Sequence, residues 1–188
     1  MRASRFASLG AAVCLFSGSV GAEDLASPYL RGSTSITGGV SLYGYTRGSS
    51  FDCGVGAGAT VRRMSSSWAF EGRLGVNASY GETPDEGPSS RTSEAFTLGG
   101  AFGRGFALGD RVVMTPMLSF GVGGWSSATS AGDAWTTLTV RAAVEVPLTV
   151  MLSRSVYYEP YLSVVASWQP DEEPVTNAWF GQRFGVVF

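Results

Sequence analysis

From Trp68 to Tyr80 the chain alternates without a break. Trp68, Phe70, Gly72, Leu74, Val76, Ala78 and Tyr80 take one side, and Ala69, Glu71, Arg73, Gly75, Asn77 and Ser79 take the other. Period two is the repeat of an extended strand with unlike faces. Strands of soluble domains usually run about 5–6 residues, whereas a β-strand crossing a bilayer needs about 9–11. Segments 112–124, 136–148, 156–168 and the C-terminal 178–188 repeat the pattern, with the larger apolar side chains on even numbers. Segments 34–46, 51–62 and 94–106 repeat it less cleanly, and 51–62 carries its apolar residues on odd numbers. The pattern predicts about eight strands and no amphipathic helix after the leader.

The connections differ by side. Arg62–Ser67, Ala107–Arg111 and Leu152–Ser155 read as tight turns, whereas 81–93, 126–133 and 170–176 read as longer polar loops. The link at Arg47–Ser50 is short but falls on the loop side. Short turns at one end and long loops at the other are the plan of a transmembrane barrel.

The N-terminus reads as an export signal. Arg2 and Arg5 precede an apolar run from Leu9 to Phe16, and Val20-Gly21-Ala22 supplies small residues for cleavage after Ala22. This divides the chain into a signal peptide (1–22), a periplasmic N-terminal segment (23–33) and a barrel (34–188). Arg2 and Arg5 leave with the leader, so 11 Arg face 15 acidic residues at a net charge of −4. That balance argues against nucleic acid as a partner. Cys53 is then the one remaining cysteine, so no internal disulfide is expected.

Alternation alone does not say which face points outward, because a soluble lipocalin-like barrel hides its apolar face inside. Aromatics at predicted strand ends favour the membrane: Trp68 and Tyr80, Phe96 and Phe106, Tyr158 and Trp168, Phe180 and Phe188, with aliphatic and small residues between them. Two aromatic girdles around an aliphatic belt suit two membrane interfaces. The polar faces also hold few charges, and the whole chain is only 15% charged, whereas soluble surfaces reach about 25–35%. Only a closed barrel leaves no unpaired strand edge in lipid.

The chain ends Arg-Phe-Gly-Val-Val-Phe, with Phe184, Val186 and Phe188 on one face. In strand number, pattern and last residue it resembles the small outer-membrane barrels of the OmpA, OmpX and opacity types. The resemblance spans the whole mature chain but rests on no family-specific motif. It implies an all-β, eight-stranded, antiparallel up-and-down transmembrane barrel, monomeric or weakly associating, in the outer membrane of a Gram-negative cell envelope. It further implies recognition of the C-terminal strand by the barrel-assembly machinery.

With the apolar face outward, Glu71, Arg73, Arg141, Glu145, Glu159 and Arg183 point into the lumen. An eight-stranded interior is just filled by side chains, so three acids and three Arg are expected to pair there. No His and no Lys occur in the chain. Ser–His, Cys–His and Schiff-base chemistry are therefore unavailable, and so are His-type zinc sites. No catalytic, cofactor or metal residue is singled out. Gly54-Val55-Gly56-Ala57-Gly58-Ala59 mimics a dinucleotide fingerprint but lacks a βαβ context. The expected function is structural or surface interaction, with outer-membrane lipid around the barrel and an extracellular partner at loops 81–93, 126–133 and 170–176. Those loops carry Glu82, Asp85, Glu86, Asp171, Glu172 and Glu173. The alternatives are a narrow ion or small-solute channel and a soluble exported binding barrel.

Overall fold

The computed structural model describes residues 24–47, 50–83, 89–129, 134–170 and 174–188. The predicted leader falls outside them. One short helix, α1 (Ala26–Arg31), precedes eight long strands: β1 (Gly32–Arg47), β2 (Ser50–Ser65), β3 (Trp68–Thr83) and β4 (Ser89–Arg104, with a short continuation Phe106–Ala107). They are followed by β5 (Val112–Met114 and Met117–Thr129), β6 (Ala134–Met151), β7 (Val156–Trp168) and β8 (Val175–Val187). Each strand pairs antiparallel with its sequence neighbours. β8 pairs with β1 from Ser35↔Val187 to Gly44↔Ala178, which closes the barrel.

The side-chain phases follow the alternation. Leu74, Val76, Leu98, Phe120, Leu138, Val144, Leu162 and Phe184 are exposed on the outside, and in β2 the exposed residues are Val55 and Val61 on odd numbers. Thr37, Thr60, Glu71, Thr139, Glu145 and Glu159 are buried inside. A barrel whose outer wall is Leu, Val and Phe is inverted relative to a soluble one.

Four expectations need correction. First, the loops are shorter than 81–93, 126–133 and 170–176. β3 and β4 stay paired to Thr83↔Ser89 and β5 and β6 to Ala128↔Ala134, while β8 already begins at Val175. Hydrogen bonding continues there although the hydrophobic alternation has stopped. Second, segment 112–124 is interrupted at Thr115–Pro116. Proline has no N–H for the ladder, and the register runs on across the gap, from Met114↔Leu148 to Met117↔Glu145. Third, β1 begins at Gly32, not 34. Fourth, the segment before it contains a helix, where none was expected after the leader. The helix is six residues long and contains Pro28, too short for a periodic signal.

That helix closes the short-turn end of the barrel. Leu25, Ala26, Tyr29 and Leu30 are buried with Met64, Ala69, Ala101, Val113, Met117, Met151 and Tyr157. The turn between β2 and β3 holds it there. Ser66 and Ser67 both have positive φ, 48° and 71°, as a two-residue turn of the hairpin type requires. Their amides donate to the carbonyls of Arg31 (3.2 Å) and Leu30 (2.9 Å). Carbonyls that α1 leaves unpaired at its C-terminus are thereby satisfied.

Candidate functional site: an ion network in the barrel lumen

Two residues above the apolar cap on β2, β3 and β7, the inward side chains become charged. Arg62 stands above Met64 on β2, Glu71 above Ala69 on β3, and Glu159 above Tyr157 on β7. Arg62 is completely buried. Its Nε donates to Glu71 at 2.5 Å and its Nη2 to Glu159 at 2.9 Å, while Nη1 contacts the other Glu159 oxygen and donates to Tyr29 Oη at 2.9 Å. The helix and the network are thus joined through one guanidinium. Thr149 Oγ1 completes this side by donating to Glu159 at 2.6 Å.

The network extends along the axis. Arg73 donates to Glu71 at 2.6 Å and to Glu145 at 2.5 Å, and Ser119 donates to Glu145 at 3.2 Å. Arg183 lies 2.9 Å from Glu159 and 3.6 Å from Glu71, with its guanidinium 4.5 Å from the Tyr161 ring centroid. Three Arg and three Glu therefore meet in one charge-balanced cluster. Charged partners buried together with supporting hydrogen bonds are the arrangement in which an ion pair recovers its desolvation cost.

Five of the six predicted lumen charges, Glu71, Arg73, Glu145, Glu159 and Arg183, come together here. Arg141 lies higher in the lumen, with its guanidinium 5.9 Å from the ring of Trp179. The cluster's third guanidinium is Arg62, a residue of the segment expected to turn. The signal was present: continuing the β2 phase past Val61 puts Arg62 inside and Arg63 outside.

Above the cluster is a cavity of about 170 Å³ lined by Arg73, Asn77, Arg141, Glu145, Tyr161, Ser163, Trp179 and Arg183. Inward glycines on its wall, Gly39, Gly75, Gly99 and Gly121, make the space. Ser163 Oγ and the second carboxylate oxygen of Glu145 are buried without a hydrogen-bond partner among the described residues. Two glycines elsewhere in the lumen have the opposite role. Gly181 and Gly185 sit opposite Tyr161 and Tyr157, whose rings fold over them.

Of the predicted girdle, Trp68, Phe96, Phe106, Trp168, Phe180 and Phe188 are exposed on the outer wall. Tyr158 is half-buried, with its ring 5.0 Å from Phe184. Tyr80's side chain lies outside the described residues. Phe96 and Phe180 fall mid-strand rather than at strand ends, because β4 and β8 run beyond the predicted boundaries. Phe184 and Val186 of the C-terminal segment also face outward.

No family model matches the chain, and no curated relative does. Solved structures do match. Neisserial surface protein A aligns with a TM-score of 0.69 at 8% identity, over 82% of this chain and 97% of that one. Ail, the attachment invasion locus protein of Yersinia pestis, aligns with a TM-score of 0.55 at 13% identity, over 84% of this chain and 99% of that one. At such identities the likeness shows the fold alone. The chain is a closed eight-stranded antiparallel barrel similar to these outer-membrane barrels.

No described helix is long and apolar enough to cross a membrane. If the wall crosses, it does so with strands. From Arg104 up to Phe96 is eight residues, which at about 3.4 Å each and a tilt near 40° rise roughly 21 Å. That is close to the height of the ~25 Å apolar band such barrels carry.

Proposed function

We propose that this chain spans the bacterial outer membrane as a monomeric, sealed barrel. Its work is then done at the ends, as a structural element or through its loops. The observation that carries this reading is the six-member Arg–Glu cluster with α1 packed directly beneath it. A conducting path would have to break several buried ion pairs and displace the helix. The outward Leu, Val and Phe wall supports the membrane placement over a soluble binding barrel, which would expose that wall to water.

In this reading the leader is removed after Ala22, and the assembly machinery recognises the strand ending in Phe188. The segments between the strands at the loop end carry Asp85, Glu86, Asp171, Glu172 and Glu173, so a partner meeting them is basic or is bridged by divalent cations. The solved complex of Ail holds the heparin analogue sucrose octasulfate. A polyanion of that kind would be repelled by this chain's acidic loop tips. No catalysis is proposed, since Glu71, Glu145 and Glu159 are each engaged by Arg and none is placed to exchange a proton with a substrate.

Two experiments test this. Cell fractionation with heat-modifiable gel mobility should place the protein in the outer membrane with a mature N-terminus at Glu23; recovery from the soluble periplasm would overturn the membrane reading. Planar-bilayer recording should be silent for the wild type and for Arg141→Ala. Reproducible conductance steps in the wild type would instead favour a narrow channel, for which the cavity above the cluster provides the polar segment.

A further inference from the structure

The outer wall carries one patch that the sealed-barrel reading does not use. At the short-turn end, Arg63 on β2 pairs opposite Phe70 on β3, and Trp68 on β3 pairs opposite Arg104 on β4. One step deeper, Phe70 pairs opposite Phe102. All five side chains are exposed on the outward face. Reading up the wall, a rung with Trp68 and Arg104 is followed by a rung with Phe70 and Phe102, with Arg63 flanking on the next strand.

The two guanidiniums are held but not neutralised. Arg63 donates to Thr34 Oγ1 at 2.8 Å, and Arg104 lies 5.8 Å from the ring centroid of Phe106. Among the described residues, neither has a carboxylate within ion-pair distance.

We infer that Arg63, Trp68 and Arg104 bind the phosphate of an anionic glycerophospholipid in the leaflet at the short-turn end, with Phe70 and Phe102 receiving the start of its acyl chains. This rests on the membrane placement proposed above. Two strand spacings of about 4.8 Å and an offset of two residues at about 3.4 Å each put the Arg backbones roughly 12 Å apart, a gap that both side chains can close onto one phosphate. Guanidinium is the group suited to bidentate phosphate contact. The Trp68 indole can add an N–H donor at the headgroup level, where Trp is characteristically found. The apolar rung immediately deeper selects a lipid over a free phosphate, because the phosphate of a lipid arrives with its chains on that side.

The test is native mass spectrometry of the full barrel released from vesicles containing equal phosphatidylglycerol and phosphatidylcholine. Near a membrane surface each Arg contributes roughly a fivefold preference for an anionic lipid. The wild type should therefore retain phosphatidylglycerol over phosphatidylcholine at least about fivefold. The double variant Arg63→Gln/Arg104→Gln should fall to near parity, and Arg63→Lys/Arg104→Lys should keep an intermediate preference. Millimolar inorganic phosphate should leave the wild-type ratio unchanged. A wild-type ratio near one, a glutamine variant that keeps its preference, or loss of the preference to inorganic phosphate would each overturn the site. Heat-modifiable mobility of the same samples reports insertion. A barrel that never inserts overturns the membrane reading and this site with it. One that inserts without lipid preference overturns the site alone.

Discussion

Arg62 is the residue on which the lumen's charge balance turns. Arg62→Met keeps comparable bulk but deletes the cation that touches Glu71, Glu159, Tyr29 and Thr149. It leaves three buried carboxylates facing two Arg. Breaking a buried pair by removing one partner costs about 3–5 kcal/mol. Arg73 still contacts Glu71 and Arg183 still contacts Glu159, so the lower end, about 3 kcal/mol, is expected. Arg62→Met/Glu159→Gln restores an equal count of Arg and Glu. It should be less destabilised than the sum of its single variants by at least about 1.5 kcal/mol, within the coupling range of residues sharing a network. The assay is reversible urea unfolding in lipid vesicles followed by tryptophan fluorescence. A loss under about 1 kcal/mol for Arg62→Met, or additivity in the double variant, would refute the claim that the cluster holds itself together by charge balance.

Other expectations follow from the same structure. Leu74→Arg, at an exposed position six residues above Trp68, should destabilise the barrel in vesicles by about 2–4 kcal/mol, read as a shift in the urea midpoint; a solvent-exposed wall would tolerate it. Gly185→Ala places a methyl group against the Tyr157 ring and should cost about 1–3 kcal/mol in the same assay. Below the barrel, the Ser27 hydroxyl and amide hydrogen-bonded to Asp24 hold its carboxyl below the usual carboxylate range. A depressed folded value stabilises α1 above the ordinary range, and that contribution is lost as pH falls through it. The Leu25 and Ala26 amides, which donate to the Asp110 carbonyl at 2.7 and 2.9 Å, should thus keep their hydrogen-exchange protection from neutral pH to about 4 and exchange somewhat faster below it.

The strands and their facing were legible because alternation is strict wherever one face meets a uniform apolar surrounding. Where that surrounding ends, the pattern ends too. Gly81-Glu82-Thr83 and Ser89-Ser90-Arg91 are polar on both faces, yet they remain paired. Strand ends were therefore read as loops, and with them the boundaries of β4 and β8. Arg62 was missed for a related reason. The doublet Arg62-Arg63 resembles turn composition, and only the phase set by Val61 separates the buried member from the exposed one. The helix was not legible at all. Its order comes from Leu25, Tyr29 and Leu30 filling the mouth of the barrel and from the Ser66 and Ser67 amides, contacts that form only once the barrel has closed.

The central claim is that the even-numbered wall of β3 faces lipid and the odd-numbered wall faces a closed, polar lumen. Spin labels placed singly along residues 72–77 in vesicle-inserted protein test it most directly, through accessibility to oxygen and to a water-soluble nickel chelate. Labels at Gly72, Leu74 and Val76 should be open to oxygen, which partitions into lipid. Labels at Arg73, Gly75 and Asn77 should be shielded from both reagents. Oxygen accessibility at the odd positions, or nickel accessibility at the even ones, would contradict the account.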